Sequence, residues 1–151
     1  MNPLDWKSVL LAKHAQHVVL IHFPIALFIV AVGFDVLSQR LRRRQLADAA
    51  YYNLVVAAIF TVPTMLSGLA AWQWLLQGHR LKGVLLYHLA FAVASTMVIL
   101  VSWWMHFRER RHGEDERAAA TWRIPLELAG VLLLIVTGHL GGFLSGVNGV
   151  V

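Results

Sequence analysis

Residues 18–37 read Val-Val-Leu-Ile-His-Phe-Pro-Ile-Ala-Leu-Phe-Ile-Val-Ala-Val-Gly-Phe-Asp-Val-Leu, with only His22 and Asp35 ionisable. A hydrocarbon core about 30 Å thick takes roughly 20 apolar residues in a helix rising about 1.5 Å per residue. This stretch therefore reads as a transmembrane helix, and 54–76, 81–105 and 124–144 qualify in the same way. The fold class this predicts is all-α, an integral membrane four-helix bundle in a single domain over 1–151. Only Gln77-Gly78-His79-Arg80 separates the second and third spans, so those two helices are antiparallel neighbours.

Composition agrees. Hydrophobic residues make up 58% of the chain and charged residues 14%, against roughly 25% charged in soluble domains. The formal charge of +5 comes from short basic blocks beside the apolar runs. That placement points to lipid headgroups and away from nucleic acid. The chain has no cysteine, which excludes disulfides, iron–sulfur ligation, thiolate metal sites and covalently attached haem. Any redox centre must rest on histidine or methionine.

The N-terminus lacks the basic, apolar and small-residue succession of a cleaved signal peptide. Leu4, Leu11 and Ala15 share a helical stripe interleaved with Lys7 and Lys13, which predicts a short interfacial helix over Leu4 to Ala15. Basic residues mark the cytoplasmic side of a membrane protein. Arg40, Arg42, Arg43 and Arg44 follow the first span, and Arg108, Arg110, Arg111, Arg117 and Arg123 lie between the third and fourth. Against these stand Lys7, Lys13, Arg80 and Lys82. Both termini are expected to be non-cytoplasmic. Trp72 and Trp74, and Trp103 and Trp104, fit interfacial belts on opposite sides. Asp35 and Glu127 fall near the inner span ends, with Arg123 four residues before Glu127. A terminal ion pair or snorkelling carboxylates account for them better than a proton path.

Ionisable residues inside a membrane are rare and costly, so each is a functional candidate. His22 comes about 4 residues into the first span, His88 about 7 into the third, and His139 about 5 before the end of the fourth. The alternating direction of the spans puts all three at similar depth in the outer half. His17 lies five positions before His22, about 140° round the helix, and is a second-layer candidate. His14, His79, His106 and His112 read as residues of aqueous segments. Small or weakly polar residues continue the histidine faces: Ala26 and Gly33 after His22, and Ala92, Ser95 and Ser102 after His88. Thr61, Thr64, Gly68 and Ala71 form a stripe on the second span, which Pro63 is expected to bend. Gly138, Gly141 and Gly142 surround His139.

Three accounts of this pattern stay open. Small residues pack membrane helices closely, with histidines as interhelical hydrogen-bond donors and acceptors. Facing imidazoles can ligate haem iron, with Gly68, Gly138 and Gly141 giving the macrocycle room. Three imidazoles can also hold copper or zinc. No inverted repeat suggests a transporter. No carboxylate, serine or thiol accompanies the histidines at one depth as hydrolysis requires.

The strings His17-Val-Val-Leu-Ile-His22-Phe23-Pro24-Ile25-Ala26-Leu27 and Gly138-His139-Leu140-Gly141-Gly142, with His88 between them, resemble a family of predicted bacterial four-helix membrane proteins of unknown function. The resemblance runs over nearly the whole chain. It implies a multi-pass protein of the bacterial inner membrane whose relatives sometimes accompany Rieske or cytochrome c modules. Relatives often carry proline after the first histidine of the motif, where this chain has Val18.

The preferred expectation is a b-type cytochrome-like electron-transfer subunit, rather than a stand-alone enzyme. It would hold bis-histidine haem b near the periplasmic face through His22, His88, His139 or His17, and exchange electrons with quinone. Expected partners are the lipid bilayer, other membrane subunits or a periplasmic redox protein, or a second copy in a homo-oligomer. The alternative is a non-catalytic scaffold or assembly subunit of a larger membrane complex.

Overall fold

The computed structural model describes residues 13–75, 80–113 and 116–145. Four helices occupy them: α1 (Lys13–Leu41), α2 (Arg44–Leu75), α3 (Gly83–His112) and α4 (Glu116–Leu144). All four are long and apolar enough to cross a membrane, and no strand occurs among the described residues. The expected all-α four-helix architecture is therefore what the described residues adopt. Most of the expected interfacial helix, the residues around His79 and the tail after Ser145 lie outside the described residues.

The helices are longer than the apolar spans. At 29 to 32 residues they extend roughly 44–48 Å, well beyond a hydrocarbon core of about 30 Å. Much of the excess lies at the arginine-rich end, where 38–41, 44–53, 106–112 and 116–123 are helical instead of loop. The cause is local. Those segments are built largely from Arg, Gln, Leu, Ala and Glu, all good helix formers.

The turns at that end are short and have identifiable stops. α1 ends where Arg42 takes a left-handed conformation, φ 53°, uncommon for a residue with a Cβ. α2 begins immediately, with the Leu46 amide donating to the Arg43 carbonyl at 3.0 Å. α3 closes on Gly113, φ 63° and ψ 31°, whose amide returns to the Glu109 carbonyl. Glycine adopts this left-handed cap without a steric penalty.

The chain packs as two tight hairpins, α1 against α2 and α3 against α4, joined more lightly along α2–α3 and α1–α4. Each helix buries a narrow stripe with alternating spacings of three and four residues. On α1 it includes Pro24, Phe28, Ala31, Asp35 and Ser38; on α3, Ser95, Ile99, Ser102, His106 and Glu109. On α4 it runs Ala120, Arg123, Glu127, Gly130 and Leu134, and on α2 Ala50, Leu54, Ala57 and Thr61. This is the seam of antiparallel helices meeting side by side. The outward faces carry large apolar residues such as Val19, Ile59, Leu66, Leu132 and Ile135, as a lipid-facing surface requires. Trp74 and Tyr87 are exposed towards one end, and Trp104 and Trp122 towards the other.

The middle of the seam is a dry plug of Phe28, Ala31, Val32, Leu54, Ala57, Ile99 and Leu134. Gly130 makes it possible, because a Cβ there would come within 2.6 Å of Val98 Cγ1 and 2.9 Å of Phe28 Cε1. Pro24 lies inside α1 and has no amide hydrogen for the carbonyl four residues earlier. That carbonyl belongs to Leu20, and Thr64 Oγ1 of α2 donates to it at 3.3 Å. The plug divides the polar residues of the bundle into two layers.

Candidate functional site

The first layer lies between the plug and the end of the bundle where α1 begins and α4 finishes. There the four helices part around a cavity of about 380 Å³, within the range of ligand and cofactor pockets. His17 of α1, Gly68 of α2, His88 of α3, and Gly138 and Gly141 of α4 all line it, among mainly apolar neighbours such as Ile21, Met65 and Leu85. A smaller extension, lined in part by Thr61, Thr64, Ser95 and Thr137, leads towards Ile99 in the plug.

Both imidazoles are seated on glycines. A Cβ at Gly68 would lie 2.9 Å from His17 Cε1, and one at Gly141 would lie 3.2 Å from His88 Cε1. Around Gly138 there is open space. Both rings also have a defined tautomer. His88 Nδ1 is 3.1 Å from the Thr137 carbonyl, which only accepts, so Nδ1 carries the hydrogen. Ser67 Oγ donates to the Thr64 carbonyl at 2.8 Å. Its hydroxyl hydrogen is thereby committed, and at 2.9 Å from His17 Nδ1 it accepts from that nitrogen. In each neutral ring Nε2 is then the unprotonated nitrogen with an in-plane lone pair. Orientation of this kind, from the far side of the ring, is what ligating histidines show at metal sites.

The other two candidate histidines are not in this cavity. His22 is exposed on the outer face of α1, and its Nδ1 donates to its own helix at the Val18 carbonyl, 2.6 Å away. His139 is exposed on α4, its ring edge-on to Phe143 with centroids 5.0 Å apart. Within the chain the three rings expected at one depth are not brought together. Position along each span sets a residue's depth, whereas the stripe sets the face it lies on. His17 is seven residues before Pro24 on the α1 stripe, and His88 seven before Ser95 on that of α3. His22 and His139 fall off it. The Ala26 and Gly33 positions that continue His22 are exposed with it, while the Thr61, Thr64, Gly68 and Ala71 stripe turns inward as expected.

The second layer lies at the arginine-rich end, where the sequence points to Asp35, Arg123 and Glu127 but not to His106 or Glu109. Arg123 of α4 donates from Nε to Asp35 Oδ2 at 3.0 Å and from Nη2 to Asp35 Oδ1 at 2.7 Å, linking α4 to α1. Its Nη1 pairs with Glu109 of α3. His106 Nε2 of α3 is 2.9 Å from Glu127 Oε1 of α4 and 4.0 Å from Asp35 Oδ2. All five side chains are buried, Glu127 completely. The expected terminal pair of Arg123 with Glu127 is a loose 3.9 Å contact, and the guanidinium is committed mainly to Asp35 and Glu109. His106, read as an aqueous residue, lies inside the bundle because α3 continues past the apolar span. Its signal was present: Ser95, Ile99, Ser102, His106 and Glu109 keep one spacing across the hydrophobic boundary. Nearby, Arg110 pairs with Asp48 and lies over the Tyr51 ring, 4.4 Å from its centroid, tying α3 to α2.

A helical bundle with four spans of membrane-crossing length and a polar layer on either side of a dry plug defines the class: a multi-pass membrane protein. The chain belongs to DUF2231, a family described as predicted membrane protein, which it matches over residues 13–151. No curated protein and no solved structure matches it.

Proposed function

We propose that the chain is a b-type cytochrome-like electron-transfer subunit of the bacterial inner membrane, with haem held between His17 and His88 and electrons exchanged with quinone. The observation that carries this reading is the pair of imidazoles on α1 and α3, lining one cavity with Nδ1 of each engaged by Ser67 or Thr137. Ligation needs two Nε2 lone pairs on different helices, an apolar surround for the macrocycle and open space beside it. The open surroundings of Gly138 provide the last of these. The pairing places His22 and His139 outside the axial set.

The test is a reduced-minus-oxidised absorption spectrum of protein purified from cells supplied with haem precursors. His17→Ala and His88→Ala each abolish the haem signal, while His22→Ala and His139→Ala retain it. A colourless wild-type protein, or a signal that depends on His22 or His139 instead, overturns the proposal.

The outward rings of His22 and His139 favour a second reading, a scaffold subunit of a larger complex. An imidazole facing lipid is costly, and partner helices would cover it. In that reading the protein is colourless, and His22→Ala and His139→Ala lose a larger assembly on size-exclusion chromatography.

A further inference from the structure

The buried layer at the arginine-rich end has an unbalanced charge inventory. Asp35, Glu109 and Glu127 contribute three carboxylates, and Arg123 is the guanidinium paired among them. Arg110 is committed to Asp48, outside the layer. With the carboxylates ionised and His106 neutral, two negative charges remain in a region shielded from water. Burial of uncompensated charge is strongly unfavourable, and either a proton on one carboxylate or a further cation relieves it.

The geometry points to a divalent transition-metal cation held by Asp35, His106 and Glu127. One ligand atom from each of the three lies within 4.8 Å of the others, and two of the separations are 2.9 and 4.0 Å. A tetrahedral ion with bonds of about 2.0–2.1 Å has ligand–ligand edges of about 3.3 Å. The three groups approach that spacing already. A second observation is independent of the clustering: Glu127 is wholly buried, yet its Oε2 has no hydrogen-bond partner, and Glu109 Oε1 and Ser102 Oγ are in the same condition. Buried polar atoms are rarely left without partners, and an ion is one of the recognised explanations.

The donor set defines the class of ion. One imidazole nitrogen with carboxylate oxygens suits Zn²⁺ or Mn²⁺, and the lack of thiolate argues against Cu⁺. Arg123 then acts as a positioning residue. Its fork occupies one lone pair on each Asp35 oxygen, leaving the second lone pair of Oδ2 for the ion. A cation there clips α1, α3 and α4 together at the end opposite the His17–His88 cavity.

Chelator-treated protein carrying a histidine-free tag is titrated with Zn²⁺ and separately with Co²⁺ as an optical probe, in a His17→Ala/His88→Ala background that removes the other imidazole pair. The expected result is one Zn²⁺ per chain, with Glu127→Gln and His106→Gln each weakening binding at least 100-fold. Co²⁺ is expected to give a visible ligand-field band that Zn²⁺ displaces. Absence of stoichiometric Zn²⁺ binding, or binding unchanged in folded Glu127→Gln, overturns the inference. Should both variants fail to fold, the Co²⁺ spectrum of the background protein decides: a ligand-field band that Zn²⁺ displaces supports the site, and a band that Zn²⁺ leaves unchanged, or no band at all, overturns it.

Discussion

Arg123 and Asp35, 88 residues apart in sequence, meet through two parallel hydrogen bonds with both side chains buried. The planar fork of arginine matches a carboxylate in a way that the single ammonium of lysine does not. Removing one partner strands the other charge, a change that costs roughly 3–5 kcal/mol for buried pairs. Arg123→Ala leaves Asp35 and Glu109 buried without their cation, and it is therefore expected to lower the unfolding free energy of the detergent-solubilised protein by about that amount. Arg123→Lys should recover little of the loss caused by Arg123→Ala. Denaturant titration followed by circular dichroism reads both. Stability of Arg123→Ala within about 1 kcal/mol of wild type would show that the guanidinium does not join α1 to α4 energetically.

The contact between Thr64 and the Leu20 carbonyl yields a coupled prediction. Thr64→Val keeps the shape of the side chain but leaves the carbonyl freed by Pro24 without its donor. A loss of about 0.6–2 kcal/mol is expected, the lower figure being typical of hydrogen bonds between membrane helices. Pro24→Ala restores an amide to the helix and so makes the threonine dispensable. The double variant should therefore lose less than the sum of the single changes, and a double-mutant cycle measures the difference. Strict additivity would mean that the two residues act independently.

Gly130 tests the tightness of the plug. In a helix, Gly→Ala gains about 1 kcal/mol from backbone propensity. At this position the new methyl meets Val98 and the Phe28 ring at distances real Cβ atoms do not tolerate, and overpacking costs about 1–3 kcal/mol. A net loss is expected for Gly130→Ala. Val98→Ala removes the closest atom and should restore part of the stability when combined with it. Thermal unfolding of the four proteins provides the comparison.

Hydrophobicity alone made the four spans legible, because twenty apolar residues have few alternatives to a membrane helix. It concealed the ends of those helices. With Trp103 and Trp104 as an interfacial belt, hydropathy assigns His106 and Glu109 to an aqueous loop. The three-and-four spacing from Ser95 to Glu109 ignores that boundary, since helix packing follows side-chain register and not hydropathy. The same register separates His17 from His22 and Thr137 from His139. Residue depth can be counted along a single span. Facing direction depends on which stripe meets a partner, and polar residues blur that stripe where they are functionally most interesting.

The register also changes the orientation argument. Arg123 is buried in an ion-pair network, so it no longer counts as a residue anchored at lipid headgroups. Without it, eight basic residues remain at the end bearing the two short turns, against Lys7, Lys13, Arg80 and Lys82 at the other, and the bias still predicts cytoplasmic turns. The chain has no cysteine, which makes single-cysteine labelling direct. His112 and Lys82 are exposed at opposite ends. Lys82→Cys is expected to react with a membrane-impermeant maleimide added to spheroplasts, and His112→Cys only after the membrane is permeabilised. The reverse pattern would put the arginine-rich turns outside, and the His17–His88 cavity would then open towards cytoplasmic rather than periplasmic partners.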